Sequence, residues 1–571
     1  MNKFVRIPEL VRITCSYATP ADIARLALTC RNLFTRAIPT AWASVSDVSQ
    51  LLLLFEEATC TVRNDPNGEF MELKLPETLD KTRAARFEFY APFVKSLEIF
   101  QDNDQRISVL NPRSLIEFAH NRDLLPNLKC LELSTIWNRR SNFVFWVNIF
   151  ASRSLGEVLI ISPQDGEVEF PSETLASNLM SALGQRCPNI RALTFTWHHS
   201  TPADEEENLL DKYFSCNGTP IHALLAQFTS LTEITGSPAL LETPALLALG
   251  SLPELRRLEV HYPVDEDIIE PGSTTLPPGS FPKLDKLTLN NIAEHTAEFI
   301  WTMPALVAQL RSLEVNFLPP FDDEEETGWT LQSFLPLICT HSPHIKELSI
   351  DFDCTSFDAN QERYLCDLTE TAFEALAKLK LVHLDVLHAR MTDDGCIERL
   401  VHTWPKIEVL RWPHQPAMVS ELSRFAKSLP KLRRLALNID MGSLPGKLNT
   451  SPLVDISHQE LRALESNFLG FGNLDGSSAA ELYLYLRKLV PNAKLEPLIS
   501  TYLELDSHPS RQLDLALVTS MNLMESYFSM IRDRHPDDSS LGPVGDIVTS
   551  DDSILTKAAV IWNIMRGWTR D

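Results

Sequence analysis

LVHLDVLHARMTDDGCIERLVHTWPKIEVLRW, residues 381–412, carries the pattern that decides the fold. A phrase of the form L-x-x-L-x-h, with h apolar, stands at each end: LVHLDV (381–386) and IEVLRW (407–412). Its L-x-h part puts two apolar side chains on one face of a short strand, while the preceding Leu or Ile folds under the same core. Between the phrases, TDDGCIERLVHTW (392–404) has helical spacing, with Thr392 as N-cap and Ile397, Leu400 and Val401 sharing one face. The unit is therefore strand, loop, helix and strand again.

The same phrase recurs along most of the chain, often introduced by Pro. Clear copies are LPNLKCLEL (125–133), CPNIRALTF (187–195), LPELRRLEV (252–260), FPKLDKLTL (281–289), QLRSLEV (309–315), SPHIKELSI (342–350) and LPKLRRLAL (429–437). Weaker ones are FVKSLEI (93–99), SLGEVLI (154–160) and FTSLTEI (228–234). Their first apolar positions fall at 94, 128, 155, 190, 231, 255, 284, 310, 345, 381, 407 and 432, in steps of 24 to 41 residues. One such unit cannot bury its apolar face alone, so the units must stack. Amphipathic stretches at 171–187 and 296–310 supply further helices between strands. The fold class expected is α/β, an irregular solenoid with parallel strands on the concave face and helices outside.

The repeats resemble irregular leucine-rich repeats, and 381–412 is most similar to their cysteine-containing subtype. The polar Asn or Cys that normally follows three residues after L-x-L is replaced by Ile136, His198, Pro263, Ile292 and Leu318. Without that side-chain ladder, long and variable insertions after the strands are expected.

Working outward, residues 7–42 (IPELVRITCSYATPADIARLALTCRNLFTRAIPTAW) read as three short helices. Pro8 opens the first, carrying Leu10, Ile13 and Tyr17; Thr19-Pro20 opens the second, with Ile23, Leu26, Ala27 and Cys30 at helical spacing. Leu33, Phe34, Ala37 and Trp42 continue the apolar pattern. So few residues cannot bury their own apolar surface, which predicts that the module docks on something, either an external partner or, as a capping bundle, the first repeat of its own chain. Ile7-Pro8-Glu9-Leu10, the Asp22-Ile23 to Leu26 step, Leu28-Thr29-Cys30-Arg31 and the closing Trp42 resemble an F-box. With the degenerate repeats and FLGFGNLDGSSAAELYLYLRKLVPNAKL (468–495), the chain is similar to fungal F-box proteins with leucine-rich-repeat-like bodies. That resemblance implies binding of the small acidic adaptor of cullin-RING ligases. It carries over Ile7, Pro8, Leu10, Ile23, Leu26, Leu28, Cys30, Leu33 and Phe34 as adaptor-facing.

Charge points the same way. The chain of 571 residues carries 51 Lys+Arg against 76 Asp+Glu, a net −25, which argues against a nucleic-acid surface or a polyanionic ligand. Residues 1–45 hold six bases and two acids, so this head is +4 and the remaining body −29. A basic rim around an apolar face suits an acidic partner. The ten cysteines are scattered, with no C-x-x-C and no secretory leader ahead of them, and no apolar run is long enough for a bilayer. Cytoplasm or nucleus is the expected location.

Catalytic and metal readings find little footing. Of Cys339, His341, His344 and Cys354, three bracket the repeat phrase SPHIKELSI (342–350), which already accounts for their positions, and Gly470 to Gly476 imitates a dinucleotide loop with the wrong spacing. No metal, cofactor or catalytic residue is expected. Acidic runs at 204–207, 265–270 and 322–326 each follow a phrase and would emerge on one edge, either as a docking rim for a basic segment or as solubilising insertions; 201–330 holds 22 acids against 6 bases. On the concave face, side chains alternating with buried ones include Glu132, Arg257, Glu259, Lys286, Glu314, Asp351, Asp385, Arg411 and Arg434, a mixed-sign surface suited to a protein target. Glu259, Glu314, Asp351, Asp385 and Arg411, with Asp322, Asp323 and Glu324 from the rim, are the candidate target contacts. The expected organisation is an F-box at 1–45, a linker helix and entry at 46–90, the solenoid at 91–500 and a helical cap at 501–571 built on amphipathic stretches 511–533 and 553–568. The expected role is a non-catalytic substrate receptor of a ubiquitin ligase, with a non-ubiquitin repeat scaffold as the alternative.

Overall fold

A computed structural model describes residues 7–65, 68–99, 106–120, 122–134, 143–161, 173–195, 219–262, 275–317, 331–352, 365–393, 395–440, 458–466, 482, 485–486 and 488–497. The chain divides into two compact units, Met1–Thr288 and Leu289–Asp571.

The first unit opens with three helices, α1 (Pro8–Ser16), α2 (Pro20–Thr29) and α3 (Arg31–Ala41). A parallel ladder follows, in chain order: Ser44–Val45, Ser96–Ile99, Cys130–Ser134, Glu157–Ile161, Ala192–Phe195, Glu233–Gly236 and Arg257–His261. The register aligns Leu97, Leu131, Val158, Leu193, Ile234 and Leu258 in one row, and every one of them is buried. The first apolar residue of each phrase is buried beneath: Val94, Leu128, Leu155, Ile190, Leu231 and Leu255. So the L-x-x-L-x-h phrase is the repeating unit of a leucine-rich-repeat-like fold, as its spacing predicts.

A backbone ladder runs just ahead of the strands. The amide of the residue after each first Leu or Ile donates to its counterpart one repeat earlier: Lys129 to Lys95 (2.7 Å), Gly156 to Lys129 (2.9 Å), Arg191 to Gly156 (2.7 Å), Thr232 to Arg191 (2.7 Å) and Arg256 to Thr232 (2.8 Å). Main-chain bonds of this kind hold register whatever the side chain, so the phrase can vary at its polar positions.

Residues 46–90 hold more than a linker helix. Short helices at Val48–Leu52 and Ala85–Tyr90 flank a hairpin of Thr59–Asp65 and Gly68–Lys74, whose second strand also pairs in parallel with Arg106–Leu110. The hairpin was legible in the Asn64-Asp65-Pro66-Asn67-Gly68 turn residues between two short runs of β-formers. A search tuned to the repeat phrase passes over it.

The second unit repeats the pattern with Ser312–Phe317, Glu347–Asp351, His383–Leu387, Val409–Met418, Arg434–Asp440, Ala463–Ser466 and Lys494–Pro497, again parallel and in chain order. Leu313, Leu348, Leu384, Leu410, Leu435 and Leu464 form its buried row. Helices Leu331–His341, Glu370–Leu376, Cys396–Thr403 and Leu422–Ser428 lie between strands in the chain. Strand 409–418 breaks register between Trp412 and Pro416, as a strand carrying two prolines must. The last two strands extend the ladder past the repeats found by sequence. In LRALES (461–466) a Ser stands where the apolar h belongs; Ser466 is buried there and its hydroxyl accepts from the Ile439 amide at 2.9 Å.

One boundary differs from expectation. Helix Cys396–Thr403 is preceded by Gly395 in a left-handed conformation (φ 81°), so Thr392 does not cap it, although Ile397, Leu400 and Val401 are buried as predicted. Among the described residues, Ile292 replaces the ladder residue and is buried, while positions 136, 198, 263 and 318 lie outside them. The acidic runs 204–207, 265–270 and 322–326 and the cap 501–571 also lie outside the described residues. No helix among those described is long and apolar enough to cross a membrane.

Candidate functional site

The three N-terminal helices form a small bundle with one apolar side inward. Pro8 and Pro20 start α1 and α2 at positions where no intrahelical amide bond is lost. Thr19 caps α2: its oxygen accepts from the Asp22 amide at 3.3 Å, and its hydroxyl donates to the Asp22 carboxylate at 2.8 Å. Val11, Cys15, Ile23, Ala27, Leu33, Ala37 and Ile38 make the bundle core, and Leu26, Cys30, Phe34 and Trp42 pack around it. The bundle docks within its own unit through aromatic contacts, Trp42 stacking on Tyr90 at 4.6 Å and Phe34 on Phe89 at 6.3 Å. Part of the docking surface demanded by its size is therefore internal.

The rest is not. Ile7, Leu10, Ile13 and Tyr17 recur at three- and four-residue spacing along α1 and are exposed, Tyr17 at 89%, and Leu28 near the end of α2 is 84% exposed. Apolar side chains that stay exposed on so small a module are surface that a partner can cover. Exposed Arg12 and Arg31 make no ion pair among the described residues, whereas Arg25 is tied to Asp22 at 2.9 Å and Arg36 bonds Asn32 at 3.0 Å.

The predicted adaptor-facing residues thus separate. Ile7, Pro8, Leu10 and Leu28 are exposed, and Leu26, Cys30 and Phe34 are half-buried. Ile23 (5% exposed) and Leu33 (7%) are corrected to core positions, because with Ala27 and Ala37 they close the bundle on itself. Either one replaced by Ala would cost about 2–5 kcal/mol of module stability. Ile13 and Tyr17 complete the exposed face, and their spacing from Leu10 was the signal for them.

The candidate target contacts on the strand face behave differently. Glu259 is half-buried, accepting from His261 at 2.9 Å and Thr235 at 3.4 Å; the His261 hydrogen bond holds its carboxyl below the usual range despite burial. Glu314 is half-buried on its strand. Asp351 and Asp385 are each only 6% exposed, and this corrects their assignment as presented contacts. Asp351 is engaged by His388 Nδ1 at 2.7 Å, and the His388 ring lies 4.9 Å from that of His414. Asp385 accepts from Arg411, whose Nε also stands 3.5 Å from Glu465, and Glu465 in turn accepts from Arg434. Register causes this: Asp385, Arg411 and Glu465 occupy the same row on successive strands save for the small Ala436 between the last two, so opposite charges fall within reach. Burial pushes the Asp385 carboxyl up to about 6, even against the Arg411 charge. Asp322, Asp323 and Glu324 lie outside the described residues.

Burial pushes the Cys187 and Cys339 thiols up to about 12, which leaves them protonated and weakly nucleophilic. Among the described residues no group of three or more His, Cys, Asp or Glu could hold a metal ion, and Cys354 is not among those residues.

No family model matches the chain, and no curated protein matches it. Solved structures do. One is the yeast complex of Rad7 and Elc1, at 16% identity over 50% of this chain and 76% of that one, with a TM-score of 0.27. Another is the leucine-rich-repeat-containing protein LegL7 from Legionella pneumophila, at 13% identity over 68% of this chain and 97% of that one, with a TM-score of 0.26. Likenesses of this size leave the argument with the chain's own residues.

Proposed function

We propose that the chain is the substrate-recognition subunit of a cullin-RING ubiquitin ligase, holding the acidic adaptor with its N-terminal helices and a protein target with its repeats. The observation that carries this reading is the exposed apolar face of Ile7, Leu10, Ile13 and Tyr17, with Leu28, on a module whose other side is already packed. Arg12 and Arg31, exposed and without an ion pair among the described residues, suit an acidic partner, and the F-box resemblance names its class. The role is non-catalytic: binding both partners raises the effective concentration of a target lysine near a ubiquitin-charged enzyme, with no bond made by this chain. Aromatic docking of the module through Trp42 and Phe34 would anchor the adaptor-binding helices to the first unit. Location in cytoplasm or nucleus belongs to the same proposal.

The test is pull-down of purified adaptor by wild type and by Leu10→Asp with Leu28→Asp. Both positions are exposed, so the double variant should unfold at the wild-type temperature and lose capture by about 100-fold or more. Undiminished capture would overturn the reading, and lost folding would reassign the face to packing.

A further inference from the structure

We propose that a cleft on the helix-bearing side of the first unit binds a small organic phosphate. The cleft has a volume of ≈ 610 Å³ and is lined by Arg122, Arg153, Arg186, His120, Asn148 and Asp123 among others, residues on or next to helices Pro112–Ala119, Phe143–Phe150 and Glu173–Arg186. Three guanidinium groups against the lining carboxylate of Asp123 and the Glu88 carboxylate paired with Arg122 still leave a local positive excess in a chain of net −25. Nothing in the receptor reading uses this site, and the proposal does not rest on that reading.

Two of the three arginines are held in place before any ligand arrives. Arg186 is half-buried and donates to the carbonyls of Asn148 and, at 3.4 Å, Arg122. A guanidinium has five N–H donors, so these two bonds position it and leave others to offer. The Arg122 guanidinium lies 4.3 Å over the Phe118 ring, with Glu88 3.5 Å away at its exposed edge. Arg153 is exposed and its side chain makes no hydrogen bond or ion pair among the described residues. A phosphate monoester, with its charge and trigonal array of oxygens, fits the arginine fork better than a carboxylate does in number of acceptors, and pre-positioned donors reduce the ordering cost of binding it.

Size selects the rest of the ligand. Small-molecule sites run about 300–1,000 Å³, and this cleft is far larger than one phosphate group, so a polar body of sugar size would accompany it. Asn148 and Gln185 also line the cleft; their amide nitrogens donate to the Val144 carbonyl at 2.8 Å and to Ser181 Oγ at 3.2 Å, which leaves the amide oxygens to accept from its hydroxyls.

The experiment uses the full-length protein, with glucose 6-phosphate, inorganic phosphate and a short phosphoserine peptide as probes, followed by calorimetry and thermal shift. Glucose 6-phosphate should bind and raise the unfolding temperature in a dose-dependent way, more tightly than inorganic phosphate. Arg153→Ala should leave the unliganded unfolding temperature unchanged and weaken glucose 6-phosphate about tenfold or more, as loss of a charge-assisted hydrogen bond does. Arg122→Ala should weaken it similarly. Absence of glucose 6-phosphate binding, binding indifferent to both substitutions, or equal affinity for inorganic phosphate would overturn the proposal. Binding of the phosphoserine peptide alone would also overturn it, and would hand the cleft to a phosphorylated protein segment.

Discussion

The N-terminal helices and the strand face of the second unit break the usual partition of side chains in opposite directions. The first leaves Leu10, Ile13, Tyr17 and Leu28 bare, while the second takes Asp351, Asp385 and Glu465 inside. Among the described residues the apolar groups stay about 40–89% exposed, whereas the charged groups are engaged by His388, Arg411 and Arg434 from other strands or the turns after them. Exposed apolar surface on a well-packed module marks a place for a partner. Buried charge that is internally matched marks a place already occupied by the protein itself.

Substitutions should therefore move binding in one region and stability in the other. The largest effect is predicted for Arg411→Ala, which leaves Asp385 and Glu465 without their shared cation: a loss of about 3–5 kcal/mol in denaturant unfolding, partly restored by adding Asp385→Asn. A loss below the noise of the measurement would place Arg411 back among free target contacts and erase the contrast. Next comes the pH dependence of Asp385. Its carboxyl is raised from 3.8 to about 6, so in that interval the folded protein holds a proton that the unfolded chain has released. Its contribution is thus fully favourable below about pH 3.8 and is lost as pH rises through about 6, a change of about 3 kcal/mol. Wild type minus Asp385→Asn, measured by chemical unfolding across that interval, should show the falling slope; a flat difference would mean that Arg411 fully offsets burial. The smallest effect sharpens the head: Thr19→Ala removes the α2 cap and should cost about 1 kcal/mol without altering adaptor capture. Reduced capture would show that the bundle's exposed face depends on how firmly α2 is anchored.

Much of this molecule could be read from the order of its residues. L-x-x-L-x-h identifies a strand, its underlying core residue and the next strand's register, because strand alternation and stacking act over a few residues. Ile7, Leu10 and Leu28 were legible as surface by their motif, and Ile13 and Tyr17 by spacing. Ile23 and Leu33 were not separable from them, since an apolar residue at helical spacing looks the same whether it faces its own bundle or a partner. The 461–466 repeat stayed hidden because its apolar slot is filled by Ser466, whose burial is supported by a bond to Ile439 on the neighbouring strand. Such compensation involves residues far apart in the chain.

Sequence alone thus determined the two-part plan: a short basic helical head, and a body of strand–helix repeats whose acids outnumber its bases. Those follow from local periodicity and counting. Tertiary structure decided which charges remain available. Asp385 and Arg411 are 26 positions apart and Arg411 and Glu465 further still, and only parallel register brings them together, so a row that reads as a mixed-sign binding surface becomes an ion-paired network, in which Asp385 Oδ1 and Arg411 Nε are buried without a hydrogen bond among the described residues. It also decided which apolar residues remain open, because the inward side of the head was taken by its own core and by Tyr90 and Phe89. Coulombic pairing and burial depend on distance in space, and a linear pattern carries that distance only where the repeat makes it periodic.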